Sequence, residues 1–538
     1  MSRLRRGLAL GLIFSLSGAA CAPETPSPSP APTASTAPAL EPSATPSAPP
    51  SAVSFQPTYE ESACPADILE AAFNGVECGY LTVLENRSRP LEGTLRLFAS
   101  RYDPPGEPAI DPGFGGTEDL GINTPPGDDN SAGAQRTHRF AYKLDPRGLD
   151  LSDANLDCPE VSAVGPELVG LRLRDPEHRQ VLLEAVSACR DRLVGQGIDL
   201  TAYDVAANVA DLEDFRRALE IPLININSNV NGSRVMETYV RTHPDVVRAF
   251  IMDSPALATP DVMSIGPAAF DLAIERLSAA CADQPACRSH TPDLSRAMRE
   301  ATAKLDAEPL TLDVDETIAA VRLGHPIRVV IDGTAYLRYV RHTLGTSGGM
   351  LSGEVVRATE KVLAGTVRPD DPMPATLASD PGDCLGVMPR CDRVNFGALY
   401  SLVCGTLGPS IDHDRLEGDV AGRAAYADLF DPSPLLTACE EWPTAAAPGP
   451  PSAWPVDVPT LVMRGWFDPY STPPEDIVAA IGGPNTYIYD VPNQSYNAFG
   501  EVDCPRLIRN AWINAPEAPP VDVTCLGDIA PIDFGPLD

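Results

Sequence analysis

Residues 222–240 read PLININSNVNGSRVMETYV. The apolar run before Asn229 reads as a strand, and the residues after Gly232 read as a helix. A strand that turns sharply into a helix can present a nucleophile at its apex. The apex here is Asn229-Val230-Asn231-Gly232, which carries no hydroxyl or thiol. Ser228 and Ser233 flank it, and Ser471, Lys143, Asp468 and Tyr496 are further candidates for chemistry. A serine without a base is a weak nucleophile. Tyrosine, with an unperturbed pKa of about 10, is a poor base at neutral pH. Lys143 would activate a serine only in direct contact with it. The seven histidines stand at 138, 178, 243, 290, 325, 342 and 413, all before Asp468. A site ordered nucleophile, acid, histidine along the chain therefore has no histidine to complete it.

The elements that must position these groups alternate. Segments 94–103, 139–145, 222–228, 247–255, 459–468 and 485–492 read as strands. Segments 232–244, 473–483 and 507–515 read as helices between or after them. Such alternation predicts an α/β fold, a mostly parallel sheet with helices on both faces. Between 262 and 440 the pattern changes to helices and Gly/Pro/Asp-rich loops, as a mainly helical cap inserted between strands would.

Composition bounds the function. The chain has 538 residues, 43% of them hydrophobic, and a net charge of −34. It can bury a large core, and its acidity argues against nucleic acid or an anionic membrane surface as partners. The acidity serves solubility or, alternatively, a cationic partner. MSRLRR followed by GLALGLIFSLSGAA has the charge and length of a secretory signal over residues 1–20, too short for a spanning helix. Cys21 follows small residues, which makes it a candidate lipidation site. Gly18 stands where Leu is usual there, and cleavage near Ala20 with free secretion is the alternative. Residues 21–58 are dominated by Pro, Ala, Ser and Thr and read as an extended tether. The folded segments are then 59–261, the insertion 262–440, and 441–538. Of 13 cysteines, 12 remain after Cys21. Neighbour pairing would join Cys64 to Cys78, Cys158 to Cys189, Cys281 to Cys287, Cys384 to Cys391, Cys404 to Cys439 and Cys504 to Cys525. No CxxC or histidine cluster suggests a metal, and no cofactor is implied. The acidic stretches DVDET (313–317) and VRPDDP (367–372) match no calcium loop and read as solvated loops.

Several motifs together resemble the α/β-hydrolase family, and within it the exported tripeptidyl-aminopeptidase-like proteins of bacteria. They are VECGYLTV (76–83), DPGFGGTED (111–119), LDPRGLDLSDANLDCPE (144–160), ACRDRLVGQGIDLTAYDVAANVADLEDFRRAL (188–219), RTHPDVVRAFIMDSP (241–255), ACADQPAC (280–287) and VPTLVMRGWFDPYSTPP (458–474). The resemblance spans roughly residues 60–530. It implies exopeptidase or ester hydrolysis through an acyl-enzyme, with a serine in a G-x-S-x-G turn. It puts Ser228 at the first glycine, Val230 at the serine and Gly232 at the second glycine. It puts Asp468 at the acid and Tyr496 at the histidine. It also puts Gly113, Phe114, Gly115 and Gly116 in an oxyanion loop followed by Thr117, Glu118 and Asp119, whose carboxylates would oppose a developing negative charge. A β-branched residue is costly at positive φ, so a relaxed turn is expected, with Asn229 or Asn231 in any left-handed conformation. Trp466, Phe467 and Tyr496 form either an aromatic floor to the former cleft or ordinary packing. The expectation is a catalytically inactive protein of hydrolase fold that binds a peptide or small molecule. The alternatives are an active hydrolase with another nucleophile and base, and a structural envelope protein.

Overall fold

The computed structural model describes residues 55–66, 76–104, 110–117, 137–149, 151–229, 232–257, 262–318, 324–346, 352–379, 394–407, 434–444, 453–495, 498–499, 502–520 and 522–537. Val230, Asn231, Tyr496, Glu118, Asp119, Cys21, Cys384 and Cys391 lie outside them, as do the signal and nearly all of the tether.

The strands are β1 (Thr58–Ser62), β2 (Val76–Leu84), β3 (Thr94–Tyr102), β4 (Ile110–Thr117), β5 (Arg139–Leu144), β6 (Ile224–Asn229), β7 (Val247–Asp253), β8 (Leu310–Val314), β9 (Ile327–Ile331), β10 (Thr460–Gly465) and β11 (Thr486–Val491). Nine form one sheet in the order β1-β2-β3-β5-β4-β6-β7-β10-β11. The β1–β2, β2–β3 and β3–β5 pairs are antiparallel, and every pair from β5–β4 to β10–β11 is parallel. The expected α/β architecture is therefore present. Strand β10, between β7 and the edge strand β11, is buried at all six positions, as a parallel strand covered on both faces must be.

Helices α1 (Pro159–Leu168), α2 (Pro176–Gly195), α3 (Val205–Ala218) and α4 (Ser233–Thr242) belong to the sheet-bearing part. Ile224 and Ile226 of β6 face the same cluster as Val235, Met236, Tyr239 and Val240 of α4. The Asp-x-Arg-Gly turn is held by a buried guanidinium. Arg147 is fully buried and grips both carboxylate oxygens of Asp211 on α3, at 2.6 and 2.7 Å.

The insertion holds α5 (Val262–Asp283), α6 (Pro285–His290), α7 (Leu294–Ala307), α8 (Gly333–Thr346), α9 (Ser352–Ala364), α10 (Pro372–Ser379), α11 (Phe396–Leu407) and α12 (Pro434–Cys439). It also carries the antiparallel pair β8–β9, which the sequence reading had taken for loops. In particular Asp313, in DVDET, is a strand residue paired with Arg328. Residues of α5 to α10 share one hydrophobic cluster, whereas α11 and α12 pack into the main cluster of the sheet. The last helices are α13 (Pro474–Ile481) and α14 (Asp503–Trp512).

A strap joins the cap cluster to a further cluster on the sheet. Val523, Leu526 and Ile529 pack against the sheet-side cluster, and Ile532, Phe534 and Leu537 are buried in the cap cluster. Gln284 Nε2 donates to Ile532 O at 2.7 Å, and Asn493 Nδ2 donates to Ala530 O at 2.7 Å. Five of the expected disulfides are formed, Cys64–Cys78, Cys158–Cys189, Cys281–Cys287, Cys404–Cys439 and Cys504–Cys525.

Candidate functional site

The carboxyl ends of β6, β7 and β10 lie side by side, because Asn229 pairs with Asp253 and Asp253 with Met463. Ligand sites of open parallel sheets form at this end. Asp468 follows β10 and is completely buried. Its Oδ1 accepts the amide hydrogens of Tyr470 at 2.8 Å and Ser471 at 3.2 Å. These bonds fold the turn around the carboxylate and fix its orientation. Its Oδ2 is buried without a hydrogen-bond partner among the described residues.

The loop after β11 is built against this turn. Phe467 N donates to Gln494 O at 2.8 Å and Trp466 N to Val491 O at 3.0 Å. Gly465 is required by this approach, since a Cβ there would sit 1.8 Å from Ser495 O. From the other side Asp253 Oδ1 accepts Ala498 N at 2.8 Å and Oδ2 accepts Phe499 N at 3.3 Å. The residues on either side of position 496 are thus held between the ends of β7 and β10. Tyr496 itself lies outside the described residues.

The cap closes over the same turn. Tyr470 packs under Arg341 of α8, whose guanidinium carbon lies 4.4 Å from the ring centroid. Ser495 Oγ donates to Leu344 O of that helix. Arg276 of α5 donates to Trp466 O at 2.9 Å and to Asp490 Oδ2 at 2.8 Å. Its guanidinium covers the Trp466 ring at 3.8 Å. Phe467 is part of the cap's core, and Trp466 is covered by an arginine.

The turn between β6 and α4 has the expected strand and helix on either side, while Val230 and Asn231 at its apex are outside the described residues. Asn229 is extended, the last residue of β6, and does not take the left-handed conformation. Gly113, Phe114, Gly115 and Gly116 are also not loop residues. They continue β4, with Phe114, Gly115 and Gly116 opposite Ala141, Tyr142 and Lys143 of β5. The glycines allow close packing inside the sheet, since a Cβ at Gly115 would meet Ile224 Cδ1 at 2.0 Å. Thr117 ends β4.

Among the described residues the alternative nucleophiles have no base. Ser228 Oγ and Ser471 Oγ are buried without a hydrogen-bond partner there, and Ser233 Oγ donates to Asn229 O at 3.0 Å. None of them is bonded to Lys143. Burial pushes the Lys143 amine down to about 7, against the opposing pull of Asp145. Among the histidines, His178 is pushed down to about 4 by burial and Arg338, and His243 stacks on Tyr239. Ser254 was not anticipated. It directly follows β7 with φ 49°, is fully buried, and its Oγ has no hydrogen-bond partner among the described residues. The sequence signal was only a serine before proline at a strand end. Among the described residues there is no group of three or more side chains able to hold a metal.

No family model matches the sequence, and no curated protein matches it. Solved structures to which the chain is similar include a proline iminopeptidase of Mycobacterium smegmatis, 13% identical, covering 81% of this chain and 98% of that one with a TM-score of 0.33. An α/β-fold-family hydrolase of Bacillus anthracis str. Sterne is 12% identical over 81% of this chain and 99% of that one, with a TM-score of 0.33. An α/β-hydrolase-fold protein of Chitinophaga pinensis is 12% identical over 85% of this chain and 98% of that one, with a TM-score of 0.31. These likenesses assign no residue a role. By its own strand order, with antiparallel strands on one side, five successive parallel pairs and a cap inserted between β7 and β10, the chain has the α/β-hydrolase fold.

Proposed function

We propose that this is an exported protein, anchored through Cys21, that descends from tripeptidyl-aminopeptidase-like hydrolases and has lost catalysis. Its former cleft binds a peptide or another small ligand. One observation carries the reading. Asp468 has the posture of a triad acid, one oxygen fixed by two amides and the other without a partner among the described residues, in a chain with no histidine after it. In an acyl-transfer triad the serine attacks, and the histidine takes its proton and passes it to the leaving group. The acid only orients the imidazole. Val230 and Tyr496 occupy the positions of the other two members by the sequence resemblance, and neither supplies that chemistry.

Among the described residues Ser254 favours a second reading, an enzyme with another nucleophile, because it combines a strained backbone with a buried hydroxyl that has no partner there. That reading also needs a base bonded to the serine.

Labelling with a fluorophosphonate probe tests both. The expected result is no labelling of the natural protein and labelling of the Val230→Ser/Tyr496→His variant. Stoichiometric labelling of the natural protein would overturn the proposal, and mass spectrometry would name the serine.

A further inference from the structure

We infer that the cap carries a ligand site of its own, a cavity between α8, α9 and α10 that takes a free amino acid with an apolar side chain of leucine size. The cavity has a volume of about 150 Å³. Its apolar walls are the Tyr339 ring, Ala358, Val367, Pro372 and Met373. Tyr339 comes from α8, Ala358 from α9 and Met373 from α10.

Helix geometry separates this cavity from the turn around Asp468. Residues two apart on an α-helix point about 200° apart. Arg341 of α8 covers Tyr470, while Tyr339 of the same helix lines the cavity. The cavity therefore lies on the other face of α8 from the former cleft.

The walls select an apolar group. A cavity of about this volume lined by apolar side chains accepts a single benzene ring. A branched four-carbon side chain fits the same space. Met373 is buried and unbranched, so it can adjust around such an occupant.

The charged residues select a zwitterion. Glu354, Arg357, Lys361 and Asp371 line the same cavity. The first three share one face of α9 with Ala358, at the three- and four-residue spacing of a helix. Glu354 pairs with Arg357 at 2.6 Å, and Asp371 pairs with Lys361. Burial works against the charge on Asp371, yet Lys361 and the Arg368 amide hold its carboxyl below its ordinary value. The four charges cancel, so neither a net cation nor a net anion is favoured. An ammonium and a carboxylate on one carbon meet both signs. The ammonium joins Glu354, and the carboxylate joins Arg357 and Lys361, one helical turn apart. These three heads are partly exposed. Ion pairs of that exposure contribute about 0–1 kcal/mol, so they exchange partners at little cost.

The test is thermal unfolding of the full chain with L-leucine, isocaproate and isoamylamine as probes, in the natural protein, Ala358→Phe and Glu354→Gln. L-Leucine is expected to raise Tm. Isocaproate lacks the ammonium and isoamylamine the carboxylate. Each is expected to need about tenfold more for the same rise, the loss of one charge-assisted contact. Glu354→Gln is expected to remove the advantage of leucine over isocaproate and keep its advantage over isoamylamine. Ala358→Phe fills the cavity and is expected to abolish all three effects. No rise with leucine would overturn the inference. So would equal rises with the three probes, which apolar contact alone would give. A leucine effect that survives Ala358→Phe would place the ligand elsewhere, the former cleft included, and overturn it too. Should Ala358→Phe fail to unfold cooperatively, Glu354→Gln decides, and an undiminished leucine effect there refutes the site.

Discussion

The backbone amide of Phe467 donates to the carbonyl of Gln494 at 2.8 Å. This bond ties the turn around Asp468 to the loop in which the sequence resemblance puts Tyr496 at a histidine's position. The two loops are docked in a chain that has no histidine after Asp468.

Gly465→Ala tests that docking. The added Cβ would meet a backbone oxygen, Ser495 O, which has no flexible end to move aside. Overpacking of this kind costs about 1–3 kcal/mol. Urea unfolding should show that loss, and hydrogen exchange of Phe467 should rise more than that of β6.

Asp253→Asn tests the other anchor. The carboxylate holds Ala498 N and Phe499 N, whereas an amide has one acceptor oxygen. Hydrogen bonds to charged groups contribute about 1.5–3 kcal/mol, so a loss within that range is expected on urea unfolding. In the Val230→Ser/Tyr496→His background the same change should slow probe labelling.

Among the described residues, Arg147→Met leaves the buried Asp211 with Arg87 as its remaining ion-pair partner. Breaking a buried pair costs about 3–5 kcal/mol because a charge is left behind. The Arg147→Met/Asp211→Asn double variant should cost less than the two single changes added together, which a double-mutant cycle measures.

Lys143 makes stability depend on pH. Its folded pKa of about 7 lies below its ordinary value of 10.5. Between these values the unfolded chain binds the extra proton, so stability rises with pH through this window. Below pH 7 the full penalty of the buried ammonium is present. Lys143→Met should therefore exceed the natural protein in stability most at pH 6. That advantage should shrink steadily toward pH 10, as urea midpoints at several pH values would show. An advantage independent of pH would refute the assignment.

Phe534→Ala should loosen the cap before the sheet. The ring is buried among cap residues, and its removal costs about 3–5 kcal/mol. Hydrogen exchange should rise first in α7, α8 and α9, with β6 and β7 unchanged, because the strap closes the cap's cluster rather than the sheet's.

Much of this was legible along the chain. The strands β5, β6, β7, β10 and β11 were readable because apolar runs and their turn punctuation are local. Asp468 was singled out by the family resemblance, and five disulfide pairs by simple proximity in sequence. The pair β8–β9 was missed because its carboxylates looked like a solvated loop. The glycines of 113–116 were misread as loop because glycine marks both a turn and a close approach between strands.

By itself the sequence determined the order of elements and the lack of a histidine after Asp468, and adjacency along the chain pointed to five cysteine pairs that the structure forms. The first two depend on residue identity and spacing alone. Only the tertiary structure decided that Ser254 is strained and, among the described residues, unpartnered, and that the 523–537 strap joins sheet and cap. Burial and partnership are set by neighbours distant in sequence, and no local periodicity encodes which polar atom will be left without one.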